Sequence, residues 1–239
     1  MKRILAVVCS HGKHIDPQAR NAVLKFRDKF KPQTIVHLGD FCDTAAFRSG
    51  ARETADSAED VGPDIDGGLT FLAEIGATHV LCGNHEDRLW RMAYSPNAVI
   101  AYAAGKCIAA IEAHCKKLKA ALIPYSGIHQ QIKFGNFTFT HGTMYGENAI
   151  RDHAEVYGNV VHGHTHRPGI ATGRRIDSPI GFGLGTLTKR SEMEYAKARR
   201  ATLSWGQAFL WGEYNDRSAH LQLCLGPQEQ NPQQPWRLP

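Results

Sequence analysis

No Cys-x-x-Cys pair occurs in this chain, and its six cysteines (Cys9, Cys42, Cys82, Cys107, Cys115, Cys224) are scattered over 239 residues. That spacing argues against a disulfide-stapled scaffold and leaves the cysteines as thiols. No apolar run approaches the ~20 residues a membrane helix requires, so no spanning segment is expected. Lys2 and Arg3 lead into a strand-length stretch, too short for a signal-peptide core, and the expected compartment is the cytoplasm. A large excess of one sign of charge is also lacking, with 28 Lys and Arg against 23 Asp and Glu. A formal net charge of +5 is too weak to name a nucleic-acid partner but suits a phosphate-bearing substrate. There is no internal repeat.

What is present reads as one unit. With 42% hydrophobic and 21% charged residues, the chain can close a substantial core, expected over residues 1–226. The Pro- and Gln-rich stretch 227–239 is expected to fray as a tail. Thirteen histidines stand out, and their clustering is the point to test, since imidazole is the commonest metal ligand.

Strand-like and helix-like runs alternate through the first half. Ile4 to Val8 is apolar and largely β-branched, the pattern of a strand buried on both faces. Asp16-Pro17 reads as an N-cap with proline at the first helical position, and the spacing of Ala22, Val23, Phe26 and Phe30 predicts a helix from about Pro17 to Phe30. Thr34 to Leu38 and Thr78 to Cys82 read as strands, Asp64 to Glu74 and Asn97 to Ala121 as helices. Ala45 to Pro63 lacks clean periodicity and is expected to form a loop or short helices over a site.

From Gln130 onward the pattern turns to β. Ile132 to Phe134 and Phe137 to Thr140 flank Gly135-Asn136, a tight hairpin signal. Asn159 to His162, Gly181 to Leu187, Ser204 to Gly212 and Ala219 to Leu225 are the remaining expected strands.

Several of these strands end in chemistry-bearing residues: Cys9 with His11, Asp40 with Asp43, Asn84 with His85, His141, and His164 with His166. In an open α/β sheet, groups at the carboxyl ends of strands converge, and this imidazole and carboxylate mixture suits Zn, Mn or Fe. GDFCD (Gly39 to Asp43), GNHE (Gly83 to Glu86), HG (His141-Gly142) and GHTH (Gly163 to His166), in that order, resemble the motifs of the calcineurin-like metallophosphoesterases.

The resemblance implies an α/β fold, a four-layer α/β/β/α sandwich of two mixed sheets flanked by helices, with two divalent metals at the strand ends. It implies hydrolysis of a phosphate ester by a hydroxide held on those metals. His11 and His166 would bind the first metal, Asn84, His141 and His164 the second, and Asp40 both. His85 matches the family's catalytic histidine. Asp43 matches the second acid of GDxxD, orienting an imidazole; a helix N-cap before Thr44-Ala45-Ala46 is its alternative reading.

One position departs from the family. Its first motif is Asp-x-His, whereas this chain has Cys9-Ser10-His11. A thiolate can replace the carboxylate and bias the site toward Zn or Fe; alternatively Cys9 is a small buried residue and the first site is weak. Arg88 and Arg91 after GNHE, and Arg167 after GHTH, are candidate substrate contacts. The basic run Lys189 to Arg200, with Tyr195 inside it, could track a nucleic-acid backbone or be a solvated face. His14, His37, His79, His114, His129, His153, His162 and His220 fall outside the motifs and are read as packed or solvated. A phosphodiester, with nucleic acid as its bearer, is the favoured substrate. A phosphomonoester is the second reading, and a catalytically impaired scaffold the third.

Overall fold

The computed structural model describes residues 1–48, 50–51, 55–193, 196, 200–227, 235–236 and 238. In chain order its elements are β1 (Lys2–Val7), α1 (Pro17–Phe30), β2 (Thr34–His37), α2 (Val61–Ile75), β3 (His79–Leu81), α3 (Asn84–Met92), α4 (Ala98–Leu118), β4 (Ala121–Ile123), β5 (Ile132–Phe134), β6 (Phe137–Thr140), α5 (Ala149–Tyr157), β7 (Val160–His162), β8 (Pro168–Thr172), β9 (Ile180–Leu184), β10 (Ala208–Tyr214) and β11 (Ala219–Leu225).

The strands form two mixed sheets. One has the order β11-β10-β1-β2-β3-β4, the other β5-β6-β7-β9-β8. In the first, β1 to β4 run parallel while β10 and β11 are antiparallel; in the second, β6, β7 and β9 are parallel between antiparallel edges.

Alternation along β1 separates the two cores. Ile4 and Ala6 join Val36, Leu210, Phe139, Val161 and Phe182 between the sheets. Leu5 and Val7 instead meet Val23 and Phe26 of α1, Leu69 and Leu72 of α2, and Ile111 of α4. With α5 against β7, β8 and β9 on the far side, the layers are helix, sheet, sheet and helix. Both faces of the central strands are covered, which is why their sequences read as continuous apolar runs. The parallel order points the carboxyl ends of β1, β2 and β3 to one edge, and those of β6 and β7 come to the same place.

Helix α1 spans the expected residues, with Asp16 Oδ1 accepting from Gln18 N at 3.0 Å. Four elements were not expected. Helix α3 begins inside GNHE, which read as a strand cap. Helix α5 lies in the stretch read as all β; it buries only Ala149, His153 and Ala154, a stripe too thin to register as periodic. Strand β8 opens Pro168-Gly169, residues that weaken any strand signal and suit an edge. Strand β4 has only three residues.

Helix α4 corrects another expectation. It is long and apolar enough, by length and composition, to cross a membrane, because its many alanines and isoleucines outweigh Lys106 and Glu112. Short 3₁₀ turns at Ala45–Phe47 and Ala55–Ala58 precede α2, with residues 49 and 52–54 of that loop outside the described set. Much of the expected tail, residues 228–234, 237 and 239, also lies outside it. Trp236 is described, and its ring stacks on Phe209 at 5.5 Å.

Candidate metal centre

Backbone hydrogen bonds lock the loops after β1 and β2 together. Cys9 N donates to Gly39 O at 3.0 Å, His11 N to Asp40 O at 3.0 Å, and Gly12 N to Phe41 O at 2.8 Å. This pairing sets Cys9 and His11 beside Asp40. Gly83 brings in the end of β3, for a Cβ there would lie 2.1 Å from Asp40 Oδ1. Among the described residues, Cys9, His11, Asp40, His164 and His166 all adopt left-handed backbone, with φ between 49° and 64°. Such conformations cost a non-glycine residue roughly 1 to 3 kcal/mol, and their concentration here marks a site held in place by its surroundings.

Two donor sets share Asp40, and His11, Asp43 and His85 form a third group. Cys9, His11, Asp40 and His166 each offer one ligand atom within 4.8 Å of the others, and so do Asp40, His141 and His164. Asp40 belongs to both. Asn84 Oδ1 completes the second set, 3.0 Å from His141 Nε2 and 2.8 Å from His164 Nδ1. All seven residues expected as ligands are therefore gathered at one place. Cys9 Sγ lies 4.0 Å from Asp40 Oδ2, turned toward the centre.

The donors fit a cation. His141 Nδ1 lies 2.8 Å from Leu38 O, which can only accept, so Nδ1 carries the proton and Nε2 of the neutral ring presents a lone pair. That lone pair faces Asn84 Oδ1 and, at 3.3 Å, Asp40 Oδ2. His11 Nδ1 is likewise 2.9 Å from Asp43 Oδ1, and its Nε2 meets His166 Nε2 at 3.1 Å. Converging lone pairs of this kind call for positive charge between them. Protonation is the chain's own substitute: burial opposes it at His141, but Asp40 raises that imidazole's pKa overall. Burial, then the neighbouring His141, holds His164 down to about 3, leaving a neutral ring fit to coordinate. Asp40 is held well below the usual carboxylate range by His141, His85 and His11 despite its burial.

His85 stands at the edge of this cluster. Its Nδ1 is 2.7 Å from Asp43 O and 3.0 Å from Asp43 Oδ1, and its Nε2 lies 3.8 Å from Asp40 Oδ2. Asp43 thus orients two imidazoles, His11 and His85, and makes no helix-capping bond; the cap position of the following turn is Thr44.

Three supporting residues escaped the sequence reading. Glu86, fully buried, accepts from Asp40 N at 2.9 Å, Cys42 N at 2.8 Å and Gly83 N at 2.7 Å. Asp64 of α2 accepts from Asp43 N at 2.8 Å and Thr44 N at 2.7 Å. Gln130 bridges Cys82 O and His141 N, at 2.7 and 3.1 Å. The final letter of GNHE was a signal for Glu86; the other two had none.

The candidate substrate residues diverge. Arg88 donates to Asp43 O at 3.0 Å and so reaches the centre. Arg91 turns along the helix surface to pair with Asp87 at 2.6 Å. Arg167 ties down the loop after β6 through Tyr145 O and Gly146 O. Of the basic run, Lys189 sits 3.5 Å from Asp16, while residues 194–195 and 197–199, Tyr195 included, lie outside the described set. All six cysteines are free thiols. His37, His153 and His162 are fully buried.

No protein-family profile and no curated protein matches the sequence. Similar solved structures include a protein characterised as a novel archaeal phosphodiesterase, at 13% identity, TM-score 0.46, covering 92% of this chain and 99% of the other. A metallophosphoesterase from Sphaerobacter thermophilus follows at 14%, TM-score 0.47, with 88% and 82% covered. Vps29 from Entamoeba histolytica, complexed with zinc, is similar at 15%, TM-score 0.47, with 93% and 92% covered. At these values the functional reading rests on the residues themselves.

Proposed function

We propose that this chain is a metal-dependent phosphoesterase of the calcineurin-like type, with a phosphodiester as its preferred substrate. One observation carries the reading: Asp40 belongs to two donor sets at once, the arrangement that two cations sharing a carboxylate require. His11, His166, Asp40 and Cys9 would hold the first, and Asn84, His141, His164 and Asp40 the second. Imidazole, amide, carboxylate and thiol together suit Zn, Mn or Fe rather than Mg. Such a pair of cations supplies Lewis acidity toward phosphoryl oxygens and lowers the pKa of bound water.

The chain's own residues do the rest. His85 keeps its Nδ1 on Asp43 O, and its Nε2, 3.8 Å from Asp40 Oδ2, faces the centre and is the nitrogen that would hand a proton to the departing alcohol. Glu86 and Asp64 fix the backbone that carries Asp40 and Asp43. Arg88 brings one guanidinium to this edge, a modest positive charge that suits a monoanionic diester.

The test is hydrolysis of bis(p-nitrophenyl) phosphate against p-nitrophenyl phosphate by protein loaded with Mn or Zn, with metal content measured in parallel. Faster diester turnover, abolished by a chelator, is the expected result. Faster monoester turnover assigns a phosphatase. Absence of both metal and turnover defeats the hydrolytic reading and leaves a scaffold.

A further inference from the structure

Strand pairing alone does not set the spacing of the second donor set. β6 and β7 run side by side as far as Thr140 and His162, and Gly163 N donating to His141 O at 2.9 Å is the last backbone bond between them among the described residues. From there the two segments part. One turns through His164 to Arg167, the other runs through Gly142 to Gly146 and on to α5. The first turn is strained, with φ 64° at His164 and 57° at His166. Such backbone persists only where its neighbours over-determine it.

Arg167 supplies a tie across the gap. Pro168 follows it, biasing Arg167 toward extended backbone and opening β8, where Pro168 pairs with Leu184. From this anchored end the side chain reaches the other segment. One nitrogen, Nη2, donates to Tyr145 O and, at 3.0 Å, to Gly146 O. The near end of that segment has its own supports. His153 of α5, fully buried, keeps its Nδ1 proton on Ala149 O at 2.6 Å and accepts from Thr143 N through Nε2 at 3.1 Å. Tyr125 Oη donates to Gly142 O at 3.5 Å. The guanidinium joins the far end to the turn that carries the ligands.

We infer that Arg167 is a positioning residue of the second donor set: its guanidinium staples the segment after His141 to the turn that carries His164, and so fixes the two imidazoles at the separation a second cation requires. The inference rests on the metal-centre reading above and gives Arg167 a task other than substrate contact.

Zinc binding to the full chain, read as dissociation constants by competition with a chelating dye, is the first test. A chain carrying His166→Ala retains the second set, and one carrying His164→Ala retains the first. Adding Arg167→Ala is expected to weaken the remaining zinc roughly tenfold in the His166→Ala chain, the low end of the loss when a ligand's support is removed. It is expected to leave the zinc of the His164→Ala chain as it was. Because one nitrogen makes both bonds, Arg167→Lys is expected to recover most of the lost affinity. Equal weakening in both chains, or none in either, overturns the inference.

Two further readouts separate positioning from other roles. Amide exchange at Thr143 in the metal-free chain follows the segment without any cation; faster exchange in Arg167→Ala is expected, and an unchanged rate overturns the inference. In hydrolysis of bis(p-nitrophenyl) phosphate at limiting zinc, Arg167→Ala is expected to lower kcat while KM holds. A KM raised at full zinc occupancy makes Arg167 a substrate contact and overturns it. An unaltered chain that holds no zinc defeats the phosphoesterase reading itself, whereas one that holds two zinc ions and is indifferent to Arg167→Ala defeats this inference alone.

Discussion

Glu86 holds the backbone of Asp40: its Oε2 accepts from Asp40 N at 2.9 Å, and neither group reaches solvent. The same carboxylate binds Cys42 N and Gly83 N, so one side chain from α3 fixes both loops that supply the shared ligand and the amide ligand. Glu86→Gln keeps the shape but turns an NH₂ group onto at least one backbone N–H. An unmet buried donor costs about 1 to 3 kcal/mol, and metal content is expected to fall along with stability. Thermal unfolding and metal analysis of the purified variant check this. Unchanged values of both would mean that the carboxylate is not what sets the loops.

His85 contacts Asp43 through Nδ1; it groups with His11 and Asp43 but belongs to neither of the two donor sets that share Asp40. Replacing it with alanine is therefore expected to lower turnover by roughly 10²- to 10⁴-fold while two metals per chain remain bound. Turnover and metal content measured on the same sample decide the matter. Parallel loss of both would make His85 a ligand instead.

Cys9 is fully buried, and burial pushes its thiol well above the ordinary range, with the Asp40 charge adding to the effect. A cation in the first set would have to displace that proton. Cys9→Asp restores a hard oxygen ligand and is expected to shift occupancy from Zn toward Mn. Competition between the two metals, read by elemental analysis, tests this; an unchanged preference would show that Cys9 does not coordinate.

His37 gives the pH dependence. Its Nδ1 accepts from Gly39 N at 3.2 Å, and its Nε2 is 3.0 Å from Ser10 Oγ. Burial lowers its pKa to about 3; the Asp40 charge opposes this, and His141 and His11 add to the lowering. The unfolded chain takes up a proton near pH 6.5 that the folded chain refuses. Stability is therefore complete above that pH and is lost as pH falls toward 3, by about 1.4 kcal/mol per unit from this residue. Denaturant unfolding of metal-free protein between pH 6.5 and 4, compared with His37→Asn, is expected to show a flatter profile in the variant. Equal slopes would contradict the assignment.

The ligand set was legible because each ligand follows an apolar strand within a short motif, and parallel topology then forces those ends together. Helix α1 was legible for a local reason: Asp16-Pro17 and the spacing of Val23, Phe26 and Phe30 need no partner to be read. Helix α5 and strand β8 were hidden because one buries few residues and the other begins with Pro168-Gly169 at a sheet edge. Gln130 and Asp64 act through contacts 11 to 48 residues away in sequence, between elements whose docking only the folded chain defines.

The most direct test of the central claim is anomalous diffraction from crystals of the chain loaded with zinc, recorded on both sides of the zinc edge. Two peaks roughly 3.5 to 4 Å apart are predicted, with Asp40 between them, His11 and His166 on one and Asn84, His141 and His164 on the other. A single peak that leaves Asp40 bound to one ion, or zinc found only away from these residues, would contradict it.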